Sequence, residues 1–312
     1  MLSERKIAVV FGASGFLGRY VVQRLAALGY VVRAAVRDTE AAKILRPMGV
    51  AGQVVPLYAP ISEEALVARA IEGTDLVINL AGILTESRSG DFMRTHCQGA
   101  ERVARLSHQV GARLVHVSAI GANPASPSAY ARSKGEGEQA VKSANPQVAI
   151  LRPSIIFGPE DKFFNRFAKI AVVSPVLPIV HGKTKFQPVY VANVADAVIA
   201  AAGPLGAGAM FELGGPEQKS FRALIEQMLT IIERAPLIWD MPVGLAKLVA
   251  MLPGSGLTAD QVTLLADDNV ASPGVPGLAA LGVTPTPLDM VLPRYLARYR
   301  VSGRSHGDAY KE

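Results

Sequence analysis

The sequence predicts an α/β protein: a doubly wound parallel sheet with helices on both faces, followed by a smaller, mixed and mostly helical lobe. Three observations carry that expectation. Short β-branched runs alternate with helical segments through the first half of the 312 residues. A glycine-rich loop joins the first run directly to the first helix. The chain is also unusually apolar, with 50% hydrophobic residues against 19% charged, which suits strands covered on both faces.

Each element has a local reason. Lys6–Phe11 (KIAVVF) is a nearly unbroken apolar run and reads as the first strand. A helix follows over about Phe16–Leu28, with Gly29 ending it. Further strands are expected at Tyr30–Val36, Gln53–Leu57, Asp75–Leu80, Arg113–Val117 and Val148–Leu151. Helical stretches lie between them at Glu40–Leu45, Glu63–Ile71, Asp91–Val110 and Ala129–Ser143. This alternation argues for right-handed crossovers and a parallel sheet. After about Pro153 proline and glycine become frequent and the alternation stops. Helices are expected there at Asn193–Ala202, Phe221–Arg234, Val243–Met251, Thr258–Ala266 and Leu288–Tyr299. Asn193 is placed to cap the first of these, and Pro293 to start or kink the last. The expected division is residues 1–155 and 156–312, in keeping with ~150 residues per domain.

Composition excludes several classes of function. Mean hydropathy is +0.27, yet no run approaches the ~20 apolar residues of a membrane span. Cys97 is the only cysteine, so neither an internal disulfide nor a cysteine metal cage is possible. The five histidines show no metal-ligand spacing, and no metal is expected. Gly12 and Gly15 interrupt the apolar stretch of MLSERKIAVVFGASG, which therefore does not read as a signal peptide. The net charge of +6 attracts anions in general, but no basic tract appears and nucleic acid is not an expected partner.

The strongest motif is Gly12-Ala-Ser-Gly15-Phe-Leu-Gly18, set between strand and helix. There Gly12 permits a tight turn, Gly15 lets a pyrophosphate approach the backbone, and Gly18 allows close helix packing. The diphosphate would sit on free N–H groups at the helix N-terminus. Gly12, Ser14, Gly15, Phe16, Leu17 and Gly18 are thus expected to hold a dinucleotide. At the end of the second strand Val36 occupies the position where an acidic residue would bond a ribose 2′-OH, and Arg37 follows. A guanidinium suits a 2′-phosphate, which favours NADPH. Asp38 keeps NADH open; its other role would be to cap the next helix.

Ser118 closes the fifth strand, and Tyr130-Ala-Arg-Ser-Lys134 lies on the following helix. At i and i+4, Tyr130 and Lys134 share one helix face. An ammonium nearby would lower the phenol's pKa and make Tyr130 an acid or base near neutrality. Ser118 would hold a carbonyl or hydroxyl, and Lys134 would also grip the nicotinamide ribose. The alternative is that this set anchors the cofactor without turnover.

These residues resemble the short-chain dehydrogenase/reductase superfamily in its extended and atypical branch. The resemblance covers the glycine loop, the Asn79-Leu80-Ala81-Gly82 strand end, the Ser–Tyr–Lys set and Arg152–Gly158 (RPSIIFG). It implies cofactor contacts at Leu80, Ala81 and Gly82, and at Pro153, Ser154 and Ile155 beside the nicotinamide. Arg152–Phe167 (RPSIIFGPEDKFFNRF), Gln187–Val191 (QPVYV) and Pro276–Leu288 (PGLAALGVTPTPL) resemble more narrowly the NAD(P)H-binding accessory subunits of respiratory complex I, the NADH:ubiquinone oxidoreductase. That implies NADPH held as a structural element, remote from electron transfer. It also implies partners among the complex I subunits near the quinone module. The expected location is peripheral, on the cytoplasmic face of a bacterial inner membrane or the matrix face of a mitochondrial one. Leu57-Tyr58-Ala59-Pro60 departs from the wider pattern by offering no carboxylate for the adenine. A free NADPH-dependent reductase or epimerase using Ser118, Tyr130 and Lys134 is the alternative.

The remaining apolar content falls around Ile170–Val180 and Pro242–Pro253, and locates an expected interface in the C-terminal lobe. Trp239 and the short apolar helix of Pro242–Pro253 read as core or the wall of a substrate cleft ahead of a helix lying in a membrane interface. Arg294, Arg298, Arg300 and Arg304 give the C-terminus a basic character. Glu160 and Asp161 read as a solvated loop, and His116 and His181 as structural.

Overall fold

The computed structural model describes residues 6–252 and 256–300. Pro253 and Arg304, named above, lie outside the described residues. The chain divides into two compact units. The first takes in Met1–Pro153, Val191–Leu213 and Ser272–Thr284. The second takes in Ser154–Tyr190, Gly214–Ala271 and Pro285–Glu312. The chain leaves the first unit close to the expected boundary but returns to it twice, which a linear division does not capture.

The first unit is a seven-stranded sheet. In chain order its elements begin with β1 (Ile7–Phe11), α1 (Phe16–Ala27), β2 (Val31–Val36), β3 (Val54–Tyr58) and α2 (Glu64–Ile71). They continue with β4 (Leu76–Asn79), α3 (Ala100–Gln109), β5 (Arg113–Val117), α4 (Ala129–Ala144) and β6 (Ala149–Pro153). A further strand, Met210–Leu213, pairs with β6, so the spatial order is Met210–Leu213, β6, β5, β4, β1, β2, β3. Every pairing is parallel. The order reverses at β1, which pairs with both β2 and β4; Phe11 stands in register with Ala35 and Asn79. Such a reversal opens a crevice beyond the carboxyl ends of the strands, where ligands bind in this architecture.

Burial explains the run of apolar residues. Ala8, Val9 and Val10 are fully buried in β1, and all of β4 is buried. On α1 the buried positions Leu17, Gly18, Val21, Val22, Leu25 and Ala26 form one face. Each large apolar side chain so buried contributes ~1.5–3 kcal/mol relative to exposure. Arg24 at the end of α1 bonds Asp196 (2.5 Å) and the Ala192 carbonyl (3.2 Å), tying α1 to the helix Val191–Ala201.

The second unit pairs short strands around a core of three helices, Phe164–Val173, Phe221–Ile232 and Leu288–Leu296. Phe163, Phe167, Phe186 and Phe221 pack ring against ring at 5.3–6.2 Å. Several local expectations change. Asp161 is buried rather than solvated: it accepts bonds from the Gly158 and Asn165 N–H groups and from the Tyr295 hydroxyl. Asn193 sits inside its helix and donates to the Thr284 carbonyl, so it is not a cap. Pro293 lies inside its helix. The segment after β2 is a 3-10 helix, Ala41–Met48, and Asp91–Val110 divides into a π-helix, Met93–Gly99, followed by α3.

Candidate functional site

The glycine loop has the geometry its sequence requires. Gly12 has φ +79°, in the region that favours glycine, and its N–H donates to the Ala35 carbonyl at 3.3 Å. A Cβ on Gly18 would lie 2.3 Å from the Gly12 oxygen and 2.5 Å from that of Ala13. Only glycine lets α1 pack this close to the loop. Gly15 precedes the helix with extended backbone, no side chain caps the terminus, and the first turn has no acidic residue. The leading N–H groups of α1 have no intrahelical partner, and the helix dipole adds positive potential there. Ser14, Phe16 and Leu17 line the same turn. This cradle fits a diphosphate.

At the end of β2, Val36 is buried and Arg37 exposed. Asp38 accepts the N–H groups of Glu40 and Ala41, both at 3.0 Å, and so closes the turn that leads into the 3-10 helix. Its carboxylate is committed to that turn; the guanidinium of Arg37 makes no ion pair among the described residues.

The other half of the crevice is built from the ends of β4, β5 and β6. Asn79 takes the Ala81 N–H on its side-chain oxygen (3.1 Å) and donates its amide to His116 Nδ1 (3.2 Å). This shapes the turn through Leu80, Ala81 and Gly82. Ser118 is 5% exposed, and its Oγ has no hydrogen-bond partner among the described residues. Such an orphan costs ~1–3 kcal/mol unless a ligand atom answers it. Ser128 caps α4 by accepting the Ala131 N–H, which starts the helix one residue before Tyr130. Lys134 is buried on that helix and donates to the Val117 carbonyl at 3.0 Å, next to Ser118.

The electrostatics differ from the expectation for Tyr130. Burial pushes its phenol up to about 12. Burial also lowers Lys134 to about 8, against the opposing pull of Glu138. The ammonium is held at the end of β5 and does not bring the phenol near neutrality, so Tyr130 is protonated at pH 7. Behind Lys134 runs a chain of charge in which Glu138 and Glu212 are buried and Arg152 half-buried. Arg152 makes a two-pronged pair with Glu138 (2.9 and 2.6 Å) and a third bond to Glu212 (3.3 Å). Glu212 also accepts the Ser272 N–H at 2.7 Å.

Two of the expected contacts fall in the other unit. Pro153 ends β6 in the first unit, whereas Ser154 and Ile155 begin the second. There the Ser154 hydroxyl donates to the Asn269 side-chain oxygen at 2.7 Å, and Ile155 packs against the second core. The residue that sequence reasoning missed is His96. Buried in the π-helix, it stacks on Phe92 (5.4 Å) and meets Tyr130 edge-on (5.5 Å). No motif marks it; only the contacts do.

A glycine turn at the switch point, a strand-end serine and a tyrosine and lysine one helical turn apart together define a nicotinamide-dinucleotide-binding protein of the reductase and epimerase class. The chain belongs to the NAD dependent epimerase/dehydratase family, whose sequence profile matches residues 8–214, and within it to the family of its longer-matching relatives. Those are mitochondrial proteins called NADH dehydrogenase (ubiquinone) 1 alpha subcomplex subunit 9. The Arabidopsis thaliana protein is 34% identical over 325 residues, covering 98% of this chain and 81% of its own length. That of Mus musculus is 35% identical over 303 residues, covering 94% and 80%. Among solved structures, the UDP-glucose 4-epimerase of Thermus thermophilus in complex with NAD has TM-score 0.70 at 18% identity, covering 95% of this chain and 99% of that one. That is a likeness of fold.

Both buried histidines are neutral in this site. Burial and the nearby Lys134 lower His96 to about 3, and burial takes His116 well below its ordinary value. Below about pH 6.5 the unfolded chain binds protons that the folded chain refuses, so stability falls on acidification. His96 alone should cost about 2 kcal/mol by pH 5, and His116 acts in the same direction. The urea midpoint should therefore drop between pH 7 and pH 5; a rise would contradict the neutral assignment.

Proposed function

We propose that the protein is an NADPH-holding accessory subunit of the NADH:ubiquinone oxidoreductase, with a structural or assembly role near the quinone module. One observation carries this reading. The family profile ends at residue 214, but the likeness to the alpha subcomplex subunit 9 proteins runs over 94–98% of the chain. The second unit is thus shared with those subunits beyond the general dinucleotide fold.

In this reading the Gly12–Gly18 turn, with Ser14, Phe16 and Leu17, holds the diphosphate, and Arg37 pairs with a 2′-phosphate. The commitment of Asp38 to its own turn supports NADPH over NADH. Leu80, Ala81 and Gly82 border the nicotinamide ribose, which Tyr130 and Lys134 grip. Ser118 offers its unpaired hydroxyl, and Pro153, Ser154 and Ile155 flank the ring. The bound nicotinamide would supply hydride chemistry. A phenol held protonated and a lysine bonded to the backbone favour anchoring over turnover.

The second unit carries a surface suited to peripheral attachment. Val176 stands in register with Leu237 and Pro178 with Trp239, so all four share one face of a two-stranded sheet. Leu237 is 67% and Trp239 41% exposed. In the following helix Val243–Ala250 only Ala246 is buried; Leu248 on the helix and Met251 and Leu252 just after it are exposed. Large exposed apolar patches mark interaction sites, and no helix among the described residues is long and apolar enough to cross a membrane. Neighbouring subunits and lipid headgroups are the contacts proposed for this surface. The retained Ser118, Tyr130 and Lys134 favour a second reading, a free NADPH-dependent reductase or epimerase.

Tagged protein from gently solubilised membranes should migrate with NADH:quinone activity on native gels; wholly soluble, monomeric behaviour would overturn the subunit reading. Arg37→Ala should weaken NADPH by about 10- to 100-fold, as loss of a charged hydrogen bond implies, and leave NADH nearly unchanged. Equal loss for both would sink the 2′-phosphate assignment. Tyr130→Phe should leave assembly and NADH:quinone activity intact, whereas loss of a measurable NADPH-dependent turnover would favour the enzyme.

A further inference from the structure

His96 joins two walls of the crevice that the chain builds far apart in sequence. Its Nε2 accepts the Ile83 N–H at 3.0 Å, directly after the Leu80–Gly82 turn. Its Nδ1 lies 2.9 Å from the Ser133 hydroxyl on α4. That hydroxyl donates to the Tyr130 carbonyl at 2.8 Å, so it must accept from the ring. The bonds therefore fix one tautomer, with the proton on Nδ1. The ring is held in place by Phe92 on one face and by the edge-on ring of Tyr130.

The backbone around it is adapted to this position. His96 lies in the π-helix Met93–Gly99, a widened turn of the kind found at functional sites. Gly137 brings α4 against that turn: a Cβ there would lie 2.0 Å from the His96 carbonyl oxygen. A glycine within a helix costs about 0.5–1 kcal/mol relative to alanine, and here it permits the close approach. A Cβ on Gly82 would meet His96 Nε2 at 3.6 Å, so the ring stands directly behind the turn. In a doubly wound fold the second half of the sheet holds the second mononucleotide. The walls that His96 joins are those of the nicotinamide half.

We infer that His96 is a positioning residue for the nicotinamide half of the cofactor: it locks the Leu80–Ile83 turn to the face of α4 that carries Tyr130 and Lys134. The inference rests on the dinucleotide reading of the site. It predicts a selective effect. Without the bridge, the turn and helix lose their fixed spacing, while the glycine loop and Arg37, on the other half, keep theirs.

The test uses the full-length protein and two probes, NADPH and 2′,5′-ADP, which carries the adenosine half alone. His96→Phe keeps a ring but deletes both bonds; His96→Gln offers an acceptor and a donor at similar spacing. His96→Phe should weaken NADPH at least tenfold and shift its bound fluorescence, with 2′,5′-ADP binding as in the parent. His96→Gln should restore most of the NADPH affinity. Should His96→Phe fail to fold, Ser133→Ala removes one end of the bridge and should give a smaller loss with the same selectivity. Unchanged NADPH affinity, a parallel loss of both probes, or no rescue by glutamine would overturn the role of His96. If the parent protein bound neither probe, the dinucleotide reading itself would fall, and this inference with it.

Discussion

Four charges of alternating sign, the buried Lys134, Glu138 and Glu212 and the half-buried Arg152, hold the first unit in register. They run from α4 through β6 to the strand Met210–Leu213, where Arg152 stands directly opposite Glu212. Burying any one alone would be prohibitive, and removing one partner of such a set costs ~3–5 kcal/mol. Their value is positional. Arg152 reaches Glu138 with two nitrogens and Glu212 with a third, so the last strand can enter the sheet at one height only. Glu138 also offsets part of the burial that lowers Lys134. The placement of the lysine at the crevice is thus coupled to the closing edge of the sheet.

Beside that charge chain, the crevice is rigid and largely satisfied. Asn79 and His116 bond each other, His96 is bonded at both nitrogens, and Lys134 is bonded to β5. At the crevice, the Ser118 hydroxyl has no partner among the described residues. General acid–base work needs a group whose pKa lies near the working pH, and Tyr130, held up at about 12, is far from it. A preorganised cradle with one open hydroxyl is well built for holding a ligand.

Much of this was legible in the sequence wherever one local rule had no competitor. The β1 run, the Gly12–Gly18 turn and the Arg113–Val117 strand stand where their patterns put them, because a strand buried on both faces leaves an unmistakable apolar run. Met210–Leu213 has a weak strand signal because it is short and contains Glu212, a charge made tolerable there by Arg152 and the Ser272 N–H. Asn193 reads as a cap by composition, yet its side chain serves the distant Thr284. The spacing of Tyr130 and Lys134 was correct, but spacing carries no information about burial, which sets both protonation states. His96 lacked any signal, since a π-turn has no distinctive composition and the partners of the ring lie 13 and 37 positions away.

The threading of the chain also imposes a timetable on its synthesis. The edge strand Met210–Leu213 is made about 60 residues after β6, and the Ser272–Thr284 segment that completes the first unit about 130 residues after it. At ribosomal speeds of about 5–20 residues per second, the first delay lasts roughly 3–12 seconds and the second roughly 7–26 seconds. Until Met210–Leu213 arrives, β6 presents an unpaired edge, the kind of surface that recruits stray strands, and Arg152 waits for Glu212. The nascent protein must shelter that polar cluster while Ser154–Tyr190, the first segment of the second unit, emerges. A ribosome stalled early in that interval leaves a nucleotide-binding sheet with an open seam.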